Sequence, residues 1–154
     1  MLQVNQPAPE FTCKDQDGRP VKLSDFRDKK HVILYFYPKD DTPGCTIEAN
    51  QFTDQTSDFA QHDVVILGAS KDSGESHLHF IDKLGLRFDL LSDPEGTLCE
   101  QYGVWQEKEK NGIKKMGIVR STFIINKAGT LVDVEYGVTP EGHARQVLDK
   151  IKHL

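Results

Sequence analysis

An unbroken apolar stretch at residues 32–37 constrains the fold of this sequence more than any other feature. Its residues are aliphatic or aromatic, and Pro38 follows directly. A strand without alternating polar residues is covered on both faces, as the central strands of parallel sheets are. The stretch therefore predicts a strand at the centre of a sheet.

A helix and a second strand are predicted after this stretch. Residues 43–59 carry apolar side chains at helical spacing, and Pro43 suits the first position of a helix. Residues 64–69 form another unbroken apolar run. Two such strands joined through a helix make a βαβ crossover, so part of the sheet is expected to be parallel. The helix side chains expected to face the sheet are Cys45, Ala49, Phe52 and Phe59.

The middle of the chain is predicted to hold two further helices. The first spans residues 73–84, and a short one spans residues 97–102. Residues 108–115 mix lysines with polar residues and glycine, and we interpret them as a solvated loop. The side chains of the first helix expected to point inward are Leu78, Ile81 and Leu84.

The last part of the chain is predicted to contain a hairpin and a final helix. Apolar strands at residues 121–125 and 131–136 flank a turn sequence at residues 126–129. Thr139 is expected to cap the final helix and Pro140 to open it. The order β-α-β-α, followed by a hairpin and a helix, outlines an α/β, thioredoxin-like fold with a mixed central sheet flanked by helices.

Length and composition favour one domain over residues 1–154 and exclude some functions. The chain has 37% hydrophobic residues and a net charge of −5. A mildly acidic chain without a block of lysine or arginine is unsuited to bind nucleic acid or an anionic membrane. Residues 1–7 lack the basic and apolar regions of a secretory signal peptide.

The cysteine and histidine content bears on location and on metal binding. Cys13, Cys45 and Cys99 are an odd number and include no CxxC pair, which favours a reducing, cytoplasmic location. His77 and His79 are two residues apart, so a helix places them on different faces. We therefore predict neither a metal site nor a cofactor.

The segment between the central strand and the first helix places a cysteine where it can act as a nucleophile. Cys45 falls in the first helical turn, at the carboxyl end of the buried strand, where open α/β sheets bind ligands. The reactive form of cysteine is the thiolate. Lowering a thiol pKa from about 8.5 to about 6 takes about 3.4 kcal/mol. A helix N-terminus supplies only about 0.3–1 kcal/mol, or up to about 2 in buried geometry, so a nearby cation is needed.

Arg120 is the best-placed cation by topology among the five arginines. It directly precedes the apolar strand at residues 121–125. If that strand runs antiparallel beside residues 32–37, its beginning lies next to the end that leads to Cys45. We therefore expect Arg120 to be the partner of Cys45.

The spacing of Pro38, Thr42 and Cys45 after a buried strand resembles the active-site pattern of peroxiredoxins. The surrounding sequence is similar to the subgroup called bacterioferritin comigratory protein or peroxiredoxin Q. The resemblance extends from Pro7 to the C-terminus. The segments that carry it are residues 35–38, 42–48, 90–93 and 102–105.

This resemblance implies a thiol-dependent peroxidase that reduces hydrogen peroxide and organic hydroperoxides. Cys45 would be the peroxidatic cysteine, which is oxidised to sulfenic acid and then reduced by a thiol. Thr42 and Arg120 would hold the peroxide and stabilise charge on the leaving oxygen. Pro38 would shield the pocket from water, and Glu48 would orient the arginine. The subgroup also implies a monomer.

The chain departs from the subgroup at the resolving cysteine. Many members carry it five residues after the peroxidatic cysteine, where this chain has Asn50. Others carry it in the following helix, but residues 73–84 contain no cysteine. We therefore predict a one-cysteine mechanism with an external thiol such as thioredoxin, glutaredoxin or glutathione. Cys99 is the remaining candidate resolver, although its sequence context favours a small core residue.

Other functions of a thioredoxin-like chain fit less well. A disulfide oxidoreductase needs CxxC, but Glu48 stands where the second thiol would be. A metallochaperone needs CxxxC, and that position holds Ala49. A non-catalytic redox or binding module stays open, although it leaves Thr42, Cys45 and Arg120 unexplained.

Overall fold

The computed structural model describes all 154 residues, which form a seven-stranded sheet, a separate two-stranded hairpin and five α-helices. The strands are β1 (Thr12–Lys14), β2 (Pro20–Lys22), β3 (His31–Phe36), β4 (Val64–Ser70), β5 (Asp89–Ser92), β6 (Trp105–Lys110), β7 (Ile113–Ile118), β8 (Ser121–Ile125) and β9 (Leu131–Tyr136). The helices are α1 (Pro43–Asp54), α2 (Thr56–Ala60), α3 (Gly74–Leu84), α4 (Thr97–Gln101) and α5 (His143–Ile151). A short 3-10 helix spans Leu23–Phe26.

Strand β3 lies near the centre of the large sheet, as its apolar sequence predicts. The strand order is β2-β1-β5-β4-β3-β8-β9. Strand β3 pairs in parallel with β4 and antiparallel with β8, and the β8–β9 hairpin forms as predicted. The sheet is therefore mixed, which confirms the predicted α/β architecture.

The two faces of the sheet carry two separate apolar clusters, because successive side chains of a strand point to opposite faces. On the front face, Ile33 and Tyr35 pack with residues of α1, α3 and α5. On the rear face, Leu34 and Phe36 pack with residues of α4 and of the N-terminal segment. Cys45 belongs to the front cluster, whereas Cys99 belongs to the rear cluster.

The helices depart from the sequence prediction in two places. The helix expected over residues 43–59 is interrupted at Gln55, which separates α1 from α2. Leu78 is 45% exposed instead of buried. The buried face of α3 carries His77 and Phe80, and Leu78 is rotated away from it by about 100°. No helix of the protein is both long and apolar enough to cross a membrane.

Two further segments differ from the prediction for reasons of turn chemistry. Residues 108–115 are not a loop but the tip of the β6–β7 hairpin. Asn111 and Gly112 both have positive φ, as a two-residue hairpin turn requires. Helix α5 begins at His143 rather than near Thr139 and Pro140. Gly142 adopts a left-handed backbone conformation, which is incompatible with the interior of a right-handed α-helix.

Candidate active site

Cys45 is the third residue of α1 and lies at the carboxyl end of β3. Pro43 occupies the first helical position, where a missing N–H is tolerated. The first intrahelical bond is the one that the N–H of Thr46 donates to the carbonyl of Thr42. The N–H groups of Gly44 and Cys45 therefore have no helical partner and give this end of α1 a partial positive charge. The Cys45 side chain is 1% exposed.

Arg120 reaches Cys45 through the antiparallel pairing of β3 and β8. Ser121 pairs with Phe36, the last residue of β3, so Arg120 lies where the loop toward α1 begins. Its Nη2 is 3.4 Å from the Cys45 sulfur, and its Nη1 donates a hydrogen bond of 2.7 Å to Glu48. The structure thus brings Cys45, Glu48 and Arg120 together around one guanidinium.

Glu48 follows Cys45 by three residues, so the two side chains lie on the same face of α1. Its side chain is fully buried, and Oε2 has no hydrogen-bond partner. Burial raises the pKa of Glu48 to about 7, although Arg120 opposes this change. Burial also disfavours the charge of Arg120, but Glu48 and Cys45 outweigh it and raise the pKa of the guanidinium. Arg120 therefore stays a cation.

Tyr35 lies beside these groups and was not identified from the sequence. Its hydroxyl is buried without a hydrogen-bond partner, and its ring stacks on Phe52 with centroids 4.7 Å apart. Burial raises the pKa of Tyr35 well above its ordinary value, and the charges of Glu48 and Cys45 add to this effect. The Tyr35 hydroxyl therefore stays protonated, and it lies near Cys45 and Glu48.

Thr42 and Pro38 lie in the loop between β3 and α1. Thr42 directly precedes α1, but its hydroxyl does not cap the helix and instead donates a hydrogen bond of 2.8 Å to the carbonyl of Lys39. Pro38 is exposed at the start of the loop. Gly44 leaves room for the cation, because an added Cβ would come 3.1 Å from Nη2 of Arg120.

The other two cysteines lie away from this site. All three cysteines are free. Cys99 is fully buried on the rear face, so the sheet stands between it and Cys45. Burial is the main reason that the pKa of both other thiols is raised. The pKa of Cys13 rises to about 12, and that of Cys99 rises further. Both side chains therefore stay protonated and lack the reactive thiolate form.

The loop between β3 and α1 also contains a buried carboxylate. Asp41 is exposed, but Asp40 is only 6% exposed. It accepts hydrogen bonds from Tyr37, Ser76 and His77. The burial of His77 could have been found from its spacing, because it shares a helix face with the apolar residues Phe80, Ile81 and Leu84.

The chain is similar in sequence and in structure to known peroxiredoxins. Residues 4–134 match the AhpC/TSA family. Peroxiredoxin Bcp of Bacillus subtilis is 44% identical over 153 residues, which cover 99% of this chain and 97% of that protein. The structure of the bacterioferritin comigratory protein of Xanthomonas campestris gives a TM-score of 0.88 at 36% identity, covering 93% of this chain and 90% of that one. The peroxidoxin BcpB of Mycobacterium tuberculosis gives a TM-score of 0.89 at 30% identity, covering 100% of this chain and 99% of that one.

Fold and relatives together define a thiol-dependent peroxidase built on a thioredoxin fold. Such an enzyme takes a hydroperoxide as substrate and a thiol as reductant. The chain belongs to the AhpC/TSA family and is a peroxiredoxin, similar to proteins of the Bcp or peroxiredoxin Q group. A non-catalytic module is thereby set aside.

Proposed function

We propose that this peroxiredoxin reduces hydrogen peroxide and organic hydroperoxides through the thiolate of Cys45. The observation that carries the proposal is the contact of 3.4 Å between the sulfur of Cys45 and Nη2 of Arg120 at the start of a helix. A cation and free N–H groups at one sulfur favour its ionised form. The Xanthomonas campestris relative is described by its alkyl peroxide reduction activity, which supports organic hydroperoxides as substrates.

The peroxide step transfers one oxygen atom to sulfur. The Cys45 thiolate attacks the terminal oxygen of the hydroperoxide, the O–O bond breaks, and its electron pair leaves with the other oxygen. That oxygen takes the peroxide proton and departs as water or an alcohol, and the sulfenate left on Cys45 takes up the proton that the thiol released on ionising, which gives sulfenic acid. An external thiol then displaces water from the sulfenic acid to give a mixed disulfide, and a second thiol releases Cys45 with a new disulfide as product.

The residues around Cys45 are proposed to stabilise this transfer. Arg120 faces the negative charge that moves from sulfur to the leaving oxygen. Glu48 holds the guanidinium through the bond of 2.7 Å. The hydroxyl hydrogen of Thr42 is engaged at Lys39, so its lone pairs are free to accept the O–H of a peroxide. Pro38 is proposed to shield the pocket around Cys45 from water.

A one-cysteine mechanism is proposed because no second thiol lies on the front face with Cys45. The position five residues later is Asn50, and Cys99 is buried beneath the opposite face of the sheet. The reductant is then an external thiol such as thioredoxin, glutaredoxin or glutathione. The reaction balances between the hydroperoxide and thiols, so it requires no cofactor. We further propose a monomeric, cytoplasmic enzyme acting as one domain.

Substitution of each cysteine tests the proposed role of Cys45. We expect Cys45→Ser to abolish thiol-dependent consumption of hydrogen peroxide, because no other thiol contacts a cation at a helix start. Cys13→Ser and Cys99→Ser serve as matched controls and should each keep most of the activity. Steady-state peroxide consumption with each reductant measures this. Substantial turnover by Cys45→Ser would show that the proposal is wrong.

A further inference from the structure

A buried carboxylate joins the reactive loop to α3. Asp40 lies in the loop between β3 and α1 and accepts a hydrogen bond from the hydroxyl of Tyr37 at 2.5 Å. Its other oxygen accepts from Ser76 Oγ and His77 Nδ1, each at 2.8 Å. Ser76 and His77 both belong to α3. One side chain thus ties the segment that precedes Cys45 to a different helix.

His77 and Asp40 form a hydrogen-bonded pair inside the protein. His77 is fully buried, and its Nε2 is 2.9 Å from the carbonyl oxygen of Leu91. Both ring nitrogens therefore lie within hydrogen-bond distance of an oxygen atom. Burial opposes the charge of Asp40, but the hydrogen bonds from His77 and Tyr37 outweigh it and lower the pKa of the carboxyl.

The backbone of the same loop is held as well. The N–H of Asp40 donates a hydrogen bond of 2.8 Å to Asp72, and the hydroxyl of Ser70 donates to the same oxygen at 2.6 Å. Asp41 has a φ of 59°, in the left-handed region that non-glycine residues rarely adopt. A loop with this backbone keeps its shape only where its surroundings hold it.

The cluster is not arranged as a metal site. Ligand atoms of Asp40, Asp72 and His77 lie within 4.8 Å of one another. Each of these atoms, however, is already hydrogen-bonded within the protein. A metal ion would have to displace several short hydrogen bonds, so the geometry is that of a hydrogen-bonded cluster.

We propose that Asp40 and His77 are positioning residues for the peroxide step. The buried pair holds the loop so that Thr42 keeps the position directly before α1 that binding a peroxide at Cys45 requires. Neither residue touches the peroxide, and His77 acts through Asp40. This inference rests on the proposed roles of Cys45 and Thr42.

Two reactions of the Cys45 thiol distinguish a loss of positioning around the peroxide from a general loss of structure at the site. Oxidation by hydrogen peroxide needs Thr42 and Arg120 in place, whereas alkylation by iodoacetamide needs only an accessible thiolate. We expect Asp40→Ala to slow oxidation by at least about tenfold, since misplacing a reacting group by about 1 Å can cost about 100-fold. Alkylation at the same pH should change by less than about threefold. Lys83→Met is the matched control, because it removes the exposed pair that joins α3 to Asp41 in the same loop, and both rates should stay within about twofold.

Two substitutions of His77 isolate the bond to Asp40. In His77→Asn the amide nitrogen can take the place of Nδ1 and keep this bond, whereas in His77→Gln it reaches toward Leu91 instead. We expect His77→Asn to oxidise faster than His77→Gln, and this comparison carries the test if Asp40→Ala does not fold. The inference is overturned if oxidation and alkylation fall together in these variants, or if neither changes. If wild-type Cys45 does not react with peroxide at all, it is the proposed function that fails.

Discussion

At the scale of single residues, the site depends on how one guanidinium is shared between two partners. Arg120 binds Glu48 through Nη1 and leaves Nη2 beside the sulfur of Cys45. The planar fork of arginine can serve both partners at once, which the single ammonium group of lysine cannot do with the same geometry. Because Glu48 is buried and paired, it fixes the orientation of the guanidinium, and Nη2 is directed at the sulfur of Cys45.

Removing the charge of Arg120 should therefore slow the peroxide step more than removing the hydroxyl of Thr42. We expect Arg120→Met to lower the second-order rate constant for Cys45 oxidation by about 100- to 1000-fold, the usual effect of losing a donor that stabilises developing charge. Thr42→Val should have a smaller effect. Arg145→Met is the control, since Arg145 is 70% exposed on α5. Stopped-flow oxidation measures all three, and an unchanged rate in Arg120→Met would contradict the proposed role.

Glu48 should make the stability of the protein depend on pH. Burial raises its pKa from an ordinary value of 4.5 to about 7. Between these two pH values Glu48 has released its proton in the unfolded chain but keeps it in the folded protein. The contribution of Glu48 to the free energy of unfolding is therefore fully present at low pH and is lost as the pH rises through about 7. The loss corresponds to about 3 kcal/mol in the free energy of unfolding.

Glu48→Gln should remove this part of the pH dependence, because the amide does not ionise. Urea unfolding from pH 4.5 to 8 measures the slope for each protein. Glu100→Gln replaces an exposed carboxylate and should keep the wild-type slope. Equal slopes in Glu48→Gln and the wild type would show that Glu48 is not held protonated by burial.

At the scale of elements, the sequence predicts what local patterns and chain topology determine. The apolar run of β3 marks the centre of the sheet because no polar residue interrupts it, and the pairing of β3 with β8 places Arg120 near Cys45. The same patterns do not reveal the burial of Asp40, whose donors Ser76 and His77 lie 36 and 37 residues away on another helix. Only the packing of α3 against the loop brings these groups together.

Turn chemistry explains the other differences. The lysines of residues 108–115 led to the interpretation of the β6–β7 hairpin as a loop, although the pair Asn111 and Gly112 is a strong signal for a two-residue turn. Helix α5 begins later than Thr139 and Pro140 suggest, because Gly142 in a left-handed conformation interrupts the segment. In both segments the glycine and its neighbours determine the backbone more than charge or capping preference does.

At the scale of the whole molecule, the sheet separates the thiols into two compartments. Cys45 faces α1 and the cation on the front face, whereas Cys99 packs with Tyr102 and Phe123 on the rear face. A disulfide requires Cα atoms closer than about 7 Å, so linking these two cysteines would require the sheet to open. The fold thus favours a mechanism in which the sulfenic acid of Cys45 is reduced by an external thiol.

Peptide mapping after one equivalent of hydrogen peroxide tests the central claim most directly. The oxidised protein is treated with dimedone, digested without reduction and analysed by mass spectrometry. We expect a dimedone adduct on Cys45, with Cys13 and Cys99 left as thiols and no internal disulfide in high yield. A quantitative link between Cys45 and Cys99 would contradict the one-cysteine mechanism and identify Cys99 as the resolving residue.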